Sequence, residues 1–147
     1  MGAEQMMPQH TPVRIRLHSR HDGENVVQEL PAEATIRGGS LYVRYEDPQE
    51  GPQGGKTRTT VKIGKDELKL IRHGDIQSEQ TFKQGSKLPG FYRSPYMNFM
   101  MSTDTGNLDI RLDGLSGYVE WAYDLYVYEE FSGHFAISLL IQEEQES

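Results

Sequence analysis

From Val13 onward the chain alternates apolar and polar residues with a period of two. Val13, Ile15 and Leu17 stand against Arg14, Arg16 and His18, and Leu41, Val43 and Tyr45 against Tyr42, Arg44 and Glu46. A strand sends successive side chains to opposite faces, so this period marks half-buried β-strands. No window keeps a 3.6-residue period over the dozen or so residues a helix needs, which argues against parallel βαβ folds. The chain is constrained to an all-β architecture.

Turn residues divide the pattern into segments. Asp22 and Gly23 end the first strand, and an extended stretch from Asn25 to Arg37 follows, with Pro31 better placed at an edge or bulge than within a ladder. Gly38 and Gly39 precede Leu41–Glu46, and Asp47 to Lys56 form a Pro- and Gly-rich loop, expected to be the most mobile segment after the termini. Thr57–Ile63 and Asp66–Arg72 flank Gly64 and Lys65 as a tight hairpin. Ile76 to Gln84 reads as a more polar strand ending near Phe82, and Ser86 to Pro95, with two prolines, as irregular. Asn98–Thr103, Leu108–Leu112, Tyr118–Tyr128 and His134–Gln142 complete the set.

Short strands joined by short turns, each with one apolar face, imply consecutive antiparallel pairing around a single core. The expected fold is a single antiparallel meander β-barrel, calycin- or lipocalin-like, of about eight to ten strands, because closure removes exposed sheet edges. The inward rows are Leu68 and Leu70; Leu108, Ile110 and Leu112; Val119, Trp121, Tyr123, Leu125 and Val127; and Phe135, Ile137, Leu139 and Ile141. Residues 1–12 have neither period and read as a disordered lead-in, leaving 13–147 as one domain.

Composition removes several functions. With 147 residues the chain supports one core, and its net charge of −7 opposes nucleic-acid phosphates and anionic membranes. The 15 Lys and Arg residues are dispersed without a basic block. Without cysteine there is no disulfide, thiolate nucleophile or zinc-thiolate site. No apolar run approaches the length of a membrane helix and no signal segment opens the chain, so a cytoplasmic location is expected, without nucleic-acid or membrane partners.

Individual motifs have plain readings. Gly51–Thr57 reads GPQGGKT, but a phosphate-binding loop requires glycine where Glu50 stands and must open a helix, whereas a strand follows. Asp104, Asn107 and Asp109 lack the distal Glu and flanking helices of a calcium loop. His18, His21 and Asp22 are too few for a metal site by ligand count. No Gly-x-Ser-x-Gly elbow or isolated carboxylate pair marks catalysis, so the chain reads as non-enzymatic, with no cofactor and no metal.

Arg72 is the informative polar residue, since it continues the inward row of Leu68 and Leu70 near one end of the barrel. An inward guanidinium either anchors a carboxylate or phosphate on a ligand, or stacks on a ring such as Trp121 or pairs with an internal carboxylate. Phe82, Tyr92, Tyr96, Phe99, Trp121 and Tyr123 supply rings that line a cavity or fill one. The leading expectation is a small, partly apolar ligand held by Arg72, Phe82, Tyr92, Tyr96, Trp121 and Tyr123. The alternative is an interaction or scaffold module with a packed barrel. Outward Tyr126, Tyr128, Ala136 and Leu140 suggest a homodimer surface.

Several short segments in order carry a family resemblance: LYVRYE at Leu41–Glu46, TTVKI at Thr59–Ile63, IRHG at Ile71–Gly74, Phe82 with Gly85, Tyr92 with Pro95 and Tyr96, Thr103, and Tyr123–Leu125. On these the chain resembles the YwiB-like family of uncharacterised bacterial proteins, over Val13 to Glu143. Met97 departs from the glycine expected after the Pro-Tyr pair, and the lipocalin Gly-x-Trp signature is missing. The resemblance implies a calycin-like β-barrel in a cytosolic bacterial protein and carries no established activity.

Overall fold

The computed structural model describes residues 10–144. Ten strands follow one another: β1 (Thr11–His21), β2 (Glu24–Arg37), β3 (Ser40–Glu46), β4 (Thr57–Ile63), β5 (Leu68–Gly74), β6 (Gln77–Phe82), β7 (Lys87–Arg93), β8 (Asn98–Asp113), β9 (Ser116–Val127) and β10 (Glu130–Glu143). Each pairs antiparallel with its neighbour in sequence, and β1 pairs with β10 from Val13↔Glu143 to His21↔Phe135, closing the meander into a barrel. The β1–β2, β3–β4, β5–β6, β7–β8 and β9–β10 connections share one end, the top; the remaining turns and both chain ends share the base.

The alternating rows point where the period places them. Val13, Ile15, Leu41, Val43, Val61, Ile63, Leu68, Val119, Leu139 and Ile141 are buried, with Leu70, Leu108, Ile110, Leu125 and Ile137 packed against them. Leu112 is a correction: it lies beyond the core near the β8–β9 turn and is 39% exposed.

Proline accounts for two further differences. Ser86–Pro95, expected to be irregular, contains strand β7 with Pro89 inside it. β7 pairs with β8 from Lys87↔Asp104 to Arg93↔Asn98, but with β6 only from Gln77↔Arg93 to Glu79↔Phe91, so Pro89 lies where the strand has one partner. Next to it, Gly90 lies so close to the Glu79 carbonyl that a Cβ would overlap it. Pro31 obeys the same rule inside β2: it pairs with Arg14 of β1, while the β2–β3 ladder begins at Glu33. A proline without a ladder donor is tolerated on a side that has no neighbour to bond.

The two expected strands Asn98–Thr103 and Leu108–Leu112 are one strand, β8, with a bulge between Thr105 and Asn107. β1 begins at Thr11, two residues before the expected domain start, and His10 Nδ1 hydrogen-bonds Thr35 Oγ1 at 2.8 Å. The rest of the expected lead-in, residues 1–9, lies outside the described residues. The Asp47–Lys56 loop is tied down by Asp75, whose Oδ2 accepts hydrogen bonds from the amides of Gln53 (3.1 Å) and Gly55 (2.9 Å).

Three hairpin turns hold both central residues in the left-handed region. Asp22–Gly23 (φ 51° and 80°) and Gly38–Gly39 (60° and 84°) contain glycine, whereas Tyr128–Glu129 (51° and 70°) does not. A side chain at positive φ costs on the order of 1 kcal/mol per residue. Glu129→Gly is therefore expected to raise stability by about 0.5–1 kcal/mol, the relief of strain outweighing the added chain entropy. Urea unfolding checks this, and a lowered midpoint with unchanged slope would show that the glutamate side chain stabilises the turn by more than its strain.

Candidate functional site

The interior divides by polarity. Toward the base, Leu41, Ile63, Leu68 and Val119 form a dry floor. Beside it Phe82 of β6, paired with Leu68, reaches across the lumen to lie 5.7 Å from Trp121 and 4.7 Å from Tyr123 of β9. On neighbouring strands Tyr123 stacks on Phe135, opposite it in the ladder, at 5.3 Å, and Phe135 stacks on His21, opposite it in turn, at 4.0 Å. Offset and tilted rings at these separations are favourable contacts in addition to their buried area. Phe82 and Trp121 are 0% and 2% exposed, so they fill the barrel and do not line an open cup.

Polar residues gather above the rings. The register sets Arg72 between Thr59 of β4 and Ser78 of β6, both buried, with Tyr45 opposite Thr59 on β3. Arg72 thus occupies the inward row at the top, with its side chain reaching solvent. It has neither an ion pair nor a hydrogen bond among the described residues, and it stacks on no ring. Neither structural role considered for it, a Trp121 stack or an internal carboxylate, is present.

Two tyrosines feel its charge. Burial pushes the Tyr123 hydroxyl up to about 12, while the Gln80 side chain and the Arg72 charge pull it down. Burial also raises Tyr45, with Asp47 adding to the effect and Arg72 and Thr59 opposing it. At neutral pH both are uncharged phenols facing a cation. The buried Thr57 Oγ1 has no hydrogen-bond partner, and Thr59 Oγ1 approaches the Tyr45 hydroxyl without a well-formed hydrogen bond.

The expected site residues therefore separate. Arg72 and Tyr123 come together at the top; Tyr92 lies on the inward row there, opposite Ser78, and stacks on Phe99 at 4.9 Å. Phe82 and Trp121 belong to the packed interior. Tyr96 is corrected: it lies in the β7–β8 turn, 70% exposed, where its amide bonds the Ser94 hydroxyl. Tyr45, Thr59 and Gln80 were not singled out from sequence, although their inward parity was readable once strands β3, β4 and β6 were placed.

A basic groove flanks the same rim on the outside. Arg44, Lys56, Arg58 and His73 line about 620 Å³ together with Glu46, which meets Lys56 at 3.6 Å. The cations are scattered in sequence, and the ladders of β3, β4 and β5 bring them together. His18 and His21 fall on opposite faces of β1: His18 bonds the Asn25 side chain at 3.0 Å, and His21 lies on the inward row and meets Asp22 at 3.0 Å. Among the described residues no three His, Asp or Glu side chains converge on a metal position.

A buried phenol with a raised pKa keeps its proton when folded and loses it more readily when unfolded. Stability is then fully present below the unfolded value near pH 10 and falls as pH rises toward about 12. The expected loss is about 2–3 kcal/mol at completion, measured by urea unfolding between pH 8 and 12. Tyr123→Phe should make this alkaline decline distinctly shallower. An unchanged decline in that variant would place the proton linkage elsewhere.

A family model described as a domain of unknown function, DUF1934, matches residues 13–139. Over 128 residues the chain is 26% identical to the uncharacterized beta-barrel protein YwiB of Bacillus subtilis (strain 168), spanning 84% of this chain and 88% of that protein. The crystal structure of the ywiB protein from Bacillus subtilis is similar at a TM-score of 0.78 and 21% identity, covering 98% of this chain and 100% of that one, a likeness of fold. On these grounds, and on the segments that led to the YwiB-like resemblance, the chain belongs to the DUF1934 family.

Proposed function

We propose that this protein is a non-enzymatic binding barrel that holds a small, partly apolar anion at its top rim, with Arg72 as the anchor. The observation that carries the reading is the lone guanidinium, on an inward row and without a carboxylate partner among the described residues. A buried charge would need a fixed counter-charge, but this guanidinium reaches solvent and is held at the rim without one. The hydroxyls of Tyr45 and Tyr123 beside it are neutral, and Asp47, whose charge also reaches Tyr45, makes no ion pair with it, which leaves the guanidinium open to a ligand.

A guanidinium presents a planar fork suited to two parallel hydrogen bonds with a carboxylate or phosphate. The Tyr92–Phe99 stack offers an apolar wall on the same rim. Because rings fill the lumen below, the ligand binds at the mouth and does not descend into the barrel. Arg44, Lys56 and Arg58 outside the rim favour the approach of an anion despite the net charge of −7. The absence of cysteine agrees with action in the reducing cytoplasm.

The packed lumen also agrees with a second reading, an interaction module working through its outer face. Exposed aromatic and methionine side chains at the β7–β8 and β9–β10 turns are the observation in its favour.

Phenyl phosphate and benzoate serve as probes, followed by amide and side-chain NMR. Saturable shifts are expected at Arg72, Tyr45 and Tyr92, with binding weakened at least tenfold in Arg72→Ala and partly kept in Arg72→Lys. Equal affinity in a folded Arg72→Ala variant, or no saturable shift at the rim with either probe, would reject the anchor.

A further inference from the structure

The outer face between β7 and β10 carries an apolar surface that the binding rim does not use. Tyr96, Met97, Met100, Tyr128 and Phe131 are each more than half exposed, from 59% to 70%. Register brings them into one region: Phe91 of β7 pairs with Met100 of β8, Met101 with Val127 of β9, and Tyr126 of β9 with Phe131 of β10. A continuous aromatic and methionine patch on a small domain marks an interaction surface.

The patch is held in shape. The Tyr128 amide donates to the Met100 carbonyl at 3.3 Å, and its hydroxyl donates to the Asn98 carbonyl at 3.1 Å, linking the two hairpin tips. Phe131 meets Tyr126 edge-on at 5.9 Å. The strained Tyr128–Glu129 turn lies on its β9–β10 side and keeps a side chain at its second position, where Asp22–Gly23 and Gly38–Gly39 have glycine.

Charge is arranged unevenly around these rings. On the β7 side stand Arg93, its guanidinium 5.3 Å from the Phe91 ring centre, and Lys87, its ammonium 4.0 Å from the Tyr126 ring centre; on the β9–β10 side stand Glu129 and Glu130. None of these four has an ion pair among the described residues. A surface that is basic on one flank, apolar in the middle and acidic on the other complements itself under a two-fold rotation.

We propose that this face binds a second copy of the chain in an isologous dimer, rings at the centre, with Arg93 of each copy against Glu129 and Glu130 of the other. At this face β8, β9 and β10 are each paired on both sides, so the contact joins sheet faces and hairpin tips and adds no strand to an edge. The face differs from the dimer surface expected from sequence: Tyr126 and Tyr128 belong to it, but Ala136 pairs with Ala122 and Leu140 with Tyr118 along β9, outside the exposed cluster.

Sedimentation equilibrium of the full chain over micromolar concentrations tests the proposal. The expected species is a dimer of the 16.8 kDa chain. Arg93→Glu, and separately Glu129→Arg with Glu130→Arg, should each raise the dimer Kd at least tenfold, while an equal mixture of the two variants should recover association. Phe131→Ser should weaken the dimer independently of charge, and circular dichroism melting confirms that each variant is folded. A wild-type chain that stays monomeric, or a dimer indifferent to both the charge reversals and Phe131→Ser, would overturn the proposal. A monomer that co-sediments with phosphatidylcholine vesicles would overturn it in favour of a lipid surface.

Discussion

The structure depends on rings meeting across the lumen. Phe82 stands on β6 and Trp121 and Tyr123 on β9, three strands away, yet their ring centres lie 5.7 and 4.7 Å apart. Backbone ladders join only adjacent strands, and the β1–β10 ladder closes the circle, but neither fills its centre. The aromatic contacts do, and Phe135 and His21 extend them toward the top. A barrel of this width left empty would lose the dispersion contacts of its inner walls.

Filling the middle determines what the ends can do. The base is sealed by aliphatic side chains, so polar groups on inward rows collect at the top, where Arg72, Tyr45, Thr59 and Gln80 lie beside or above the rings. A charged side chain is affordable there because its head reaches water while its stem follows the inner wall. The rim therefore joins a packed ring floor to a cation without an ion pair, the arrangement on which the proposed anion site rests. Phenols whose pKa values are raised by burial stay neutral beside that cation.

Much of this was legible in the chain. Period-two rows from Val13 to Ile141 located the core, Gly38–Gly39 and Asp22–Gly23 located turns, and the parity of Leu68 and Leu70 correctly turned Arg72 inward. What escaped depends on how many partners a strand has. Pro89 concealed β7 because propensity cannot show that β6 ends beside it, and the Gly106 bulge made β8 look like two strands. Parity likewise cannot distinguish a ring that lines a cavity from one that fills it, since that depends on which strands face each other across the barrel. Of the two roles that parity leaves open to Phe82 and Trp121, lining or filling, their burial shows filling, and nothing in the sequence around Tyr96 marks that its turn directs it into solvent. The basic groove was hidden because Arg44, Lys56 and Arg58 converge only when β3 and β4 pair.

The chain's single tryptophan reports directly on the filled lumen. Trp121 is 2% exposed and packs against Phe82, so steady-state fluorescence of the native protein should be blue-shifted and resistant to iodide, becoming red-shifted and quenchable only on unfolding in guanidinium. A native emission that is already red-shifted and quenched by iodide would mean that solvent enters the barrel, contradicting a packed interior with binding confined to its rim.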